Sequence, residues 1–315
     1  MSDQRRGLLF GAAAYALWGL FPLYWPLLEP AGAVELLAHR IVWSALTMGI
    51  VVAVMRRTPQ VFAAVRDRRS MTWLSVAAVV ISVNWGVYIW GVNNERVVET
   101  SLGYFINPLV TVLLGVFVLG ERLRRLQWVA LAIAAIAVVV LSIDYGRPPW
   151  VALVLAFSFG VYGLSKKQAA VGAVESLTVE TVVLAPVAGA YVVWLVATGA
   201  SNFGGTGLDH SLLVVSAGVV TAIPLICFGA AANRVPLVVL GLLQYLAPII
   251  QFALGVLLFG EDMTPGRWAG FALVWIALVI LTAETINHSR LRPNGSPRRP
   301  RTTPEQCAPD RGQGR

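Results

Sequence analysis

Residues 105–128, FINPLVTVLLGVFVLGERLRRLQW, and residues 245–268, YLAPIIQFALGVLLFGEDMTPGRW, align without a gap at a spacing of 140. Pro108 falls on Pro248, Leu114-Gly115-Val116 on Leu254-Gly255-Val256, Gly120-Glu121 on Gly260-Glu261 and Trp128 on Trp268. Shared apolar character alone does not put a proline, a Gly-Glu turn and a tryptophan into one register twice. Upstream, Leu102-Gly103 resembles Leu240-Gly241 after a two-residue shift, and Ala14-Tyr15-Ala16-Leu17-Trp18-Gly19-Leu20 resembles Ser158-Phe159-Gly160-Val161-Tyr162-Gly163-Leu164. The chain therefore reads as an internal duplication.

The solvent of that duplication follows from composition. Of 315 residues, 57% are hydrophobic and 13% charged, against roughly 25% charged in a soluble domain. A lipid-spanning helix needs about 20 predominantly apolar residues. Ten such runs are found, at Leu8–Leu28, Leu36–Met55, Met71–Val92, Thr100–Leu119, Leu126–Ile143, Trp150–Ser165, Val179–Ala197, Leu212–Ala230, Pro236–Phe259 and Trp268–Thr285. Five runs per copy, an odd number, send the second copy into the membrane from the opposite side. The expected fold is an all-α polytopic membrane protein of ten transmembrane helices in two inverted five-helix repeats, 1–145 and 146–287. Inverted halves suit alternating access around a central site.

The run after Arg5 and Arg6 continues two turns past Ala12-Ala13-Ala14, longer than a cleavable signal core, and reads as a retained helix. Of 24 Lys and Arg, all but Arg40, Arg96, Arg147 and Arg267 fall on the side of the amino terminus. Poor translocation of positive loops then places both termini in the cytoplasm of a multi-pass protein of the bacterial inner membrane. The net charge of +8 belongs to those loops and to the tail, 288–315, and calls for no nucleic-acid partner. That tail, rich in Arg, Pro, Gly and Thr, is too polar to fold alone and reads as disordered. Cys227 and Cys307 supply neither a disulfide framework nor a four-ligand metal site, so no metal and no cofactor is expected.

Several stretches resemble the RarD group of the EamA-type transporters, within the drug/metabolite transporter superfamily. These are Ala14-Tyr15 with Trp18-Gly19, His39-Arg40-Ile41-Val42-Trp43-Ser44, Asn84-Trp85, Trp90-Gly91-Val92-Asn93-Asn94, and Ser101-Leu102-Gly103-Tyr104-Phe105-Ile106-Asn107-Pro108-Leu109 followed by Gly120-Glu121-Arg122. The resemblance covers nearly everything except the tail. It implies a ten-helix inner-membrane permease of inverted repeats, in a superfamily that includes exporters of amino acids, drugs and other metabolites. It implies no particular substrate. The second copy departs from the first where Ala247 stands for Asn107.

Polar residues inside lipid-spanning segments are costly and tend to face a cavity or a partner. In the second run Glu35, His39 and Trp43 share a face, with Arg40 about 100° around. Arg40 either fixes an anionic group of a substrate or, the favoured reading, pairs with Glu35, Glu95 or Glu99 as a gate or structural clamp; His39 is a candidate for titration during transport. Asn84 and Tyr88 share a face of the third run, with Trp85, Trp90 and Asn93 beside them. In the fourth, Tyr104 and Asn107 stack one turn apart, and Pro108 removes a backbone hydrogen bond. On the ninth, Gln244 and Tyr245 precede Pro248 in the same way.

Together these side chains suit a neutral or zwitterionic solute in a mostly apolar pocket, with Tyr15 and Trp18 as further walls. For each residue singly, packing is the stronger reading; for the cluster around Asn107 and Gln244, kinked helices at corresponding positions of two inverted halves favour a binding site. Trp25, Trp73 and Trp150 read as interfacial anchors, and Glu121 and Glu261 as parts of helix-ending turns. Glu180 and Glu284 fall near run ends, leaving no evident deep carboxylate.

The expected partners are a small-molecule substrate and the bilayer, with a homodimer as an admissible assembly. A membrane-embedded enzyme acting on a lipid is the alternative. It would require convergent histidines or carboxylates, and His210 and His288 lie outside the runs. A non-transporting interaction protein or channel is the third reading.

Overall fold

The computed structural model describes residues 3–120, 123–205, 207–232, 234, 235, 239 and 243–291, which form helices and turns. The helices are α1 (Asp3–Gly19), α2 (Phe21–Tyr24) with a 3-10 turn (Trp25–Leu28), α3 (Ala33–Val54), α4 (Thr58–Arg66), α5 (Arg68–Asn93), α6 (Val97–Leu119), α7 (Arg125–Tyr145), α8 (Trp150–Ala169), α9 (Ala173–Ala197), α10 (Leu208–Ala232), α11 (Leu246–Leu257) and α12 (Pro265–Leu291). Seven of them, α3, α5, α6, α7, α9, α10 and α12, are long and apolar enough to cross a bilayer, and α1 with residues 21–28 makes an eighth if that bent pair is one crossing. In α8 the apolar run is diluted by Ser158, Ser165, Lys166 and Lys167, and α11 has only 12 residues.

The first run is bent by 43° rather than continuous. Pro22 carries no N–H, so the Trp18 carbonyl loses its partner within the helix. Gln251 of α11 supplies the missing donor, its Nε2 lying 3.1 Å from that oxygen. With Pro26 opening the 3-10 turn, the bend carries Trp25 inward, where it is fully buried instead of anchoring an interface.

Pro248 also differs from expectation. It lies in the first turn of α11, where backbone N–H groups have no acceptor within the helix in any case, whereas Pro108 sits in the middle of α6. Positions 236–238 and 240–242 of the ninth run, together with Glu121, Arg122 and the tail beyond Leu291, lie outside the described residues. The last helix continues through His288 to Leu291, past the boundary drawn for the tail. A short helix that the apolar runs do not signal, α4, packs on α5 and α9.

An extensive seam joins α7 to α12, where Ala130, Ala134, Ala137 and Leu141 meet Phe271, Val274, Ala277 and Leu278. Small residues let helices approach where lipid offers no hydrophobic drive between them. The seam is tied at both ends: Arg124 pairs with Glu284, while Thr264 Oγ1 and Arg267 Nε reach Asp144 at 2.5 and 3.2 Å. Elsewhere α5 and α6 pack on α8, α1 on α10 and α11, α3 on α9 and α10, α5 on α9, and α6 on α11.

At two glycines a helix meets the backbone of its neighbour. A Cβ on Gly103 of α6 would stand 2.8 Å from the Ala152 carbonyl oxygen of α8, and one on Gly218 of α10 would collide with the Trp43 carbonyl of α3. Gly163 meets nothing within 4 Å. Gly103→Ala and Gly218→Ala should each destabilise the protein by about 1–3 kcal/mol, while Gly163→Ala leaves it unchanged or slightly raised; thermal unfolding of the three purified variants reads the difference.

Candidate functional site

Arg40 lies two turns inside α3 and is 3% exposed. Its Nε donates to Thr221 Oγ1 of α10 at 3.0 Å. The guanidinium carbon stands 4.0 Å from the ring centre of Trp85, 5.0 Å from that of Trp25 and 5.7 Å from that of Phe21. Four parts of the chain therefore build one aromatic cage: the bend after α1, then α3, α5 and α10.

The expected ion pair of Arg40 is not formed. Glu35 instead accepts from Asn202 N and Nδ2, both at 2.8 Å, and from Ser201 Oγ at 3.2 Å. Glu99 accepts from Arg147 at 2.8 Å and from the Val151 N–H at 3.2 Å, with Arg96 at 3.9 Å. Helix geometry gives the reason: five residues rotate a side chain by roughly 140°, so Glu35 and Arg40 leave α3 on different faces. Glu35 meets the turn after α9, where donors are at hand.

The remaining candidates separate by partner. Asn84, 1% exposed, is fully used as a joint: Nδ2 donates to the Leu155 carbonyl at 3.1 Å and Ser158 Oγ at 2.9 Å, and Oδ1 accepts from Tyr104 OH at 3.1 Å. This ties α5, α6 and α8 together. Tyr88 meets Tyr104 edge to face at 5.7 Å. Among the described residues the buried Tyr88 hydroxyl, Asn93 Oδ1 and Asn107 Oδ1 have no hydrogen-bond partner. Thr111 Oγ1 donates to the Asn107 carbonyl at 3.0 Å, beside Pro108.

Tyr15 and Trp18 pack edge to face at 5.3 Å, with Phe228 of α10 at 6.1 and 5.9 Å. His39 lies against Phe203 at 4.8 Å, and its Nε2 is unpartnered. Gln244 is half-buried in the turn before α11. Next to it, the Tyr245 ring packs in the cluster of α6, α7 and α12.

Sequence reasoning missed Thr221, Phe203 and Gln251, which come from distant segments, and it set Glu180 at a run end. Because α9 begins at Ala173, Glu180 lies two turns inside and is 1% exposed. It accepts from Lys166 Nζ at 2.8 Å, Ser176 Oγ at 2.6 Å and Tyr162 OH at 3.1 Å. The signal that finds it is the repeat spacing, since Arg40 and Glu180 are 140 positions apart, as are Glu35 and Glu175. Among the described residues no cluster of His, Cys, Asp and Glu is arranged to hold a metal.

The second Gly-Glu turn does more than end a helix. Gly260 adopts the left-handed conformation at φ 65°, and Glu261 accepts from the Val97 N–H and, at 3.1 Å, from the Val98 N–H. Those are free donors at the start of α6, so a turn of the second copy caps a helix of the first. Burial pushes the Glu261 carboxyl up to about 7, against the Val98 and Val97 bonds and the charge of Arg267; Glu99 adds to the rise.

The apolar helical bundle and the polar groups it encloses are those of a polytopic membrane protein. The sequence profile of the EamA-like transporter family matches residues 5–143. A protein named RarD from Streptomyces exfoliatus is 58% identical over 92% of each chain. An uncharacterized transporter of Vibrio cholerae is 42% identical over 90% of this chain and 93% of its own. The chain belongs to the EamA-like transporter family, as a RarD-type member. A crystal structure of a protein 20% identical in sequence superposes on 91% of this chain and 99% of its own with a TM-score of 0.57, which extends the likeness of fold.

Asn84→Ala should lower stability by about 1–2 kcal/mol, since it strands the Tyr104 hydroxyl and removes the link from α5 to α8; denaturation with Tyr104→Phe as the partner variant measures the coupling. A second expectation concerns pH. With its folded pKa raised, Glu261 holds a proton that the unfolded chain releases, so its contribution is full below the ordinary carboxylate range and is lost as pH rises through about 7. The thermal midpoint of the purified protein should fall between about pH 5 and about pH 8, with a flatter profile in Glu261→Gln.

Proposed function

We propose that the chain is a secondary transporter that exports a small organic solute, such as an amino acid, another metabolite or a drug, by alternating access of two inverted five-helix units. The observation that carries this reading is the unpaired Arg40 in its cage, with the unpartnered Tyr88 and Asn107 on the neighbouring helices. Unpaired polar groups inside a lipid-soluble bundle are costly unless a ligand or cavity completes them.

The packing supports the inverted reading, with ten crossings drawn as α1 with α2, α3, α5, α6, α7, then α8, α9, α10, α11 and α12. Exchanging the two sets of five turns the α5–α8 contact into α10–α1, α6–α8 into α11–α1 and α3–α10 into α9–α5, while α3–α9, α6–α11 and α7–α12 map onto themselves. Side chains follow suit. Arg124–Glu284 and Thr264–Asp144 join positions that interchange at the 140-residue spacing. Gly120 and Gly260 share a left-handed conformation at φ 67° and 65°. The family match ends at residue 143, close to the boundary at 145. Charge asymmetry puts both termini in the cytoplasm, in a bacterial inner membrane.

The test is transport. Purified protein in liposomes should catalyse saturable, competitively inhibited flux of at least one member of a panel of amino acids, nucleosides and drugs. Folded protein that moves none of them would sink the reading. Within the site, Asn107→Ala is expected to abolish flux and the ligand-induced thermal shift while leaving the size-exclusion profile intact; normal flux in that variant would remove Asn107 from the site.

A further inference from the structure

Among the described residues Arg40 has one of its five N–H donors engaged. Nε is fixed by Thr221, and the ring of Trp85 covers one face of the guanidinium at 4.0 Å, with Trp25 and Phe21 beside it. Among the described residues no carboxylate lies within 4.0 Å, and the two terminal nitrogens make no hydrogen bond to the protein. The carboxylates Glu99, Asp144 and Glu180 are each paired with another cation: Glu99 with Arg96 and Arg147, Asp144 with Arg267, Glu180 with Lys166. One turn along α5 from Trp85 stands Tyr88, whose buried hydroxyl has no hydrogen-bond partner among the described residues.

The other half of the duplication meets the same demand differently. At the position 140 residues on, Glu180 carries a buried charge of opposite sign and receives Lys166, Ser176 and Tyr162. The second copy neutralises its buried charge from within, and the first leaves its own uncompensated.

We propose that Arg40 and the Tyr88 hydroxyl form a binding site for a carboxylate, so that the transported solute is a small organic monocarboxylate. A guanidinium held by Nε and stacked by its face presents the remaining edge as a two-pronged donor, the geometry that matches a carboxylate. Tyr88, with no partner of its own, adds a neutral donor. A single cation balances a single negative charge; a doubly charged phosphate would leave one charge unmatched in a low-dielectric cage. The aromatic walls favour an apolar body behind the carboxylate. This assignment rests on the transporter reading for the word solute, but the anion site stands or falls independently of flux.

Matched probes separate the two. Phenylacetate, hexanoate and N-acetyl-L-leucine, each beside its neutral carboxamide and beside inorganic phosphate, are titrated into the purified full chain, with thermal midpoint and tryptophan fluorescence as readouts. At least one carboxylate is expected to raise the midpoint and change the emission of the cage tryptophans, with no response to its carboxamide or to phosphate. Arg40→Gln should weaken the response roughly tenfold or more, Arg40→Lys less, and Tyr88→Phe by roughly threefold to tenfold. If Arg40→Gln does not fold, Arg40→Lys and Tyr88→Phe carry the comparison.

Equal responses to acid and amide, no response to any of the carboxylates, a response to phosphate, or full affinity in the folded variants would overturn the assignment. Flux of neutral solutes without carboxylate binding removes the anion site and leaves the transporter. Carboxylate binding without flux of any solute removes the transporter and leaves the site.

Discussion

Hydrocarbon offers no hydrogen bonds, so each polar group carried into this bundle must be answered by another part of the chain. The Trp18 carbonyl illustrates how far that demand reaches. Pro22 removes its helical partner, and the replacement comes from Gln251, more than two hundred residues away in sequence. A local break thereby becomes a long-range tie between the first helix and α11. The Asn84 amide works in the same way, binding three helices through one side chain, and Glu261 satisfies the start of a helix in the opposite copy. Polar groups act here as the joints of an apolar assembly, and their number is small because each needs a partner.

Against that background, the groups without answers are informative. Glu180 is completed by three donors, whereas Arg40 has one acceptor and a ring of aromatics, although the two stand at the 140-residue spacing of the sequence repeat. The Asn107 and Ala247 pair diverges in the same sense, with the polar residue in the first copy.

Much of the helical plan was legible because it depends on short-range properties. Apolar runs and the 140-residue register mark the crossing helices, and the conserved spacing of Gly120 and Gly260 yields two turns of one conformation. What escaped depends on where a helix starts or on what lies across from it. Glu180 looked marginal because the start of α9 was drawn six residues late, at the first strongly apolar stretch, while polar residues from Glu175 to Thr178 are in fact helical and buried. Pro248 reads as a kink in sequence because a run of hydrophobic residues does not reveal where its first turn lies. The pairing of Arg40 with Glu35 was plausible by distance along the chain and failed on angle around the helix. Thr221 and Phe203 had no sequence signal, since only tertiary packing brings them to α3.

The seam between α7 and α12 is fastened at both extremities, by Arg124 with Glu284 and by Asp144 with Thr264 and Arg267. Two rods lashed together at each end resist both sliding and splaying, and leave rotation about their common axis as the soft motion. In the proposed alternating-access cycle such a pair would serve as an axle, and the displacement of any other helix would grow with its distance from that line.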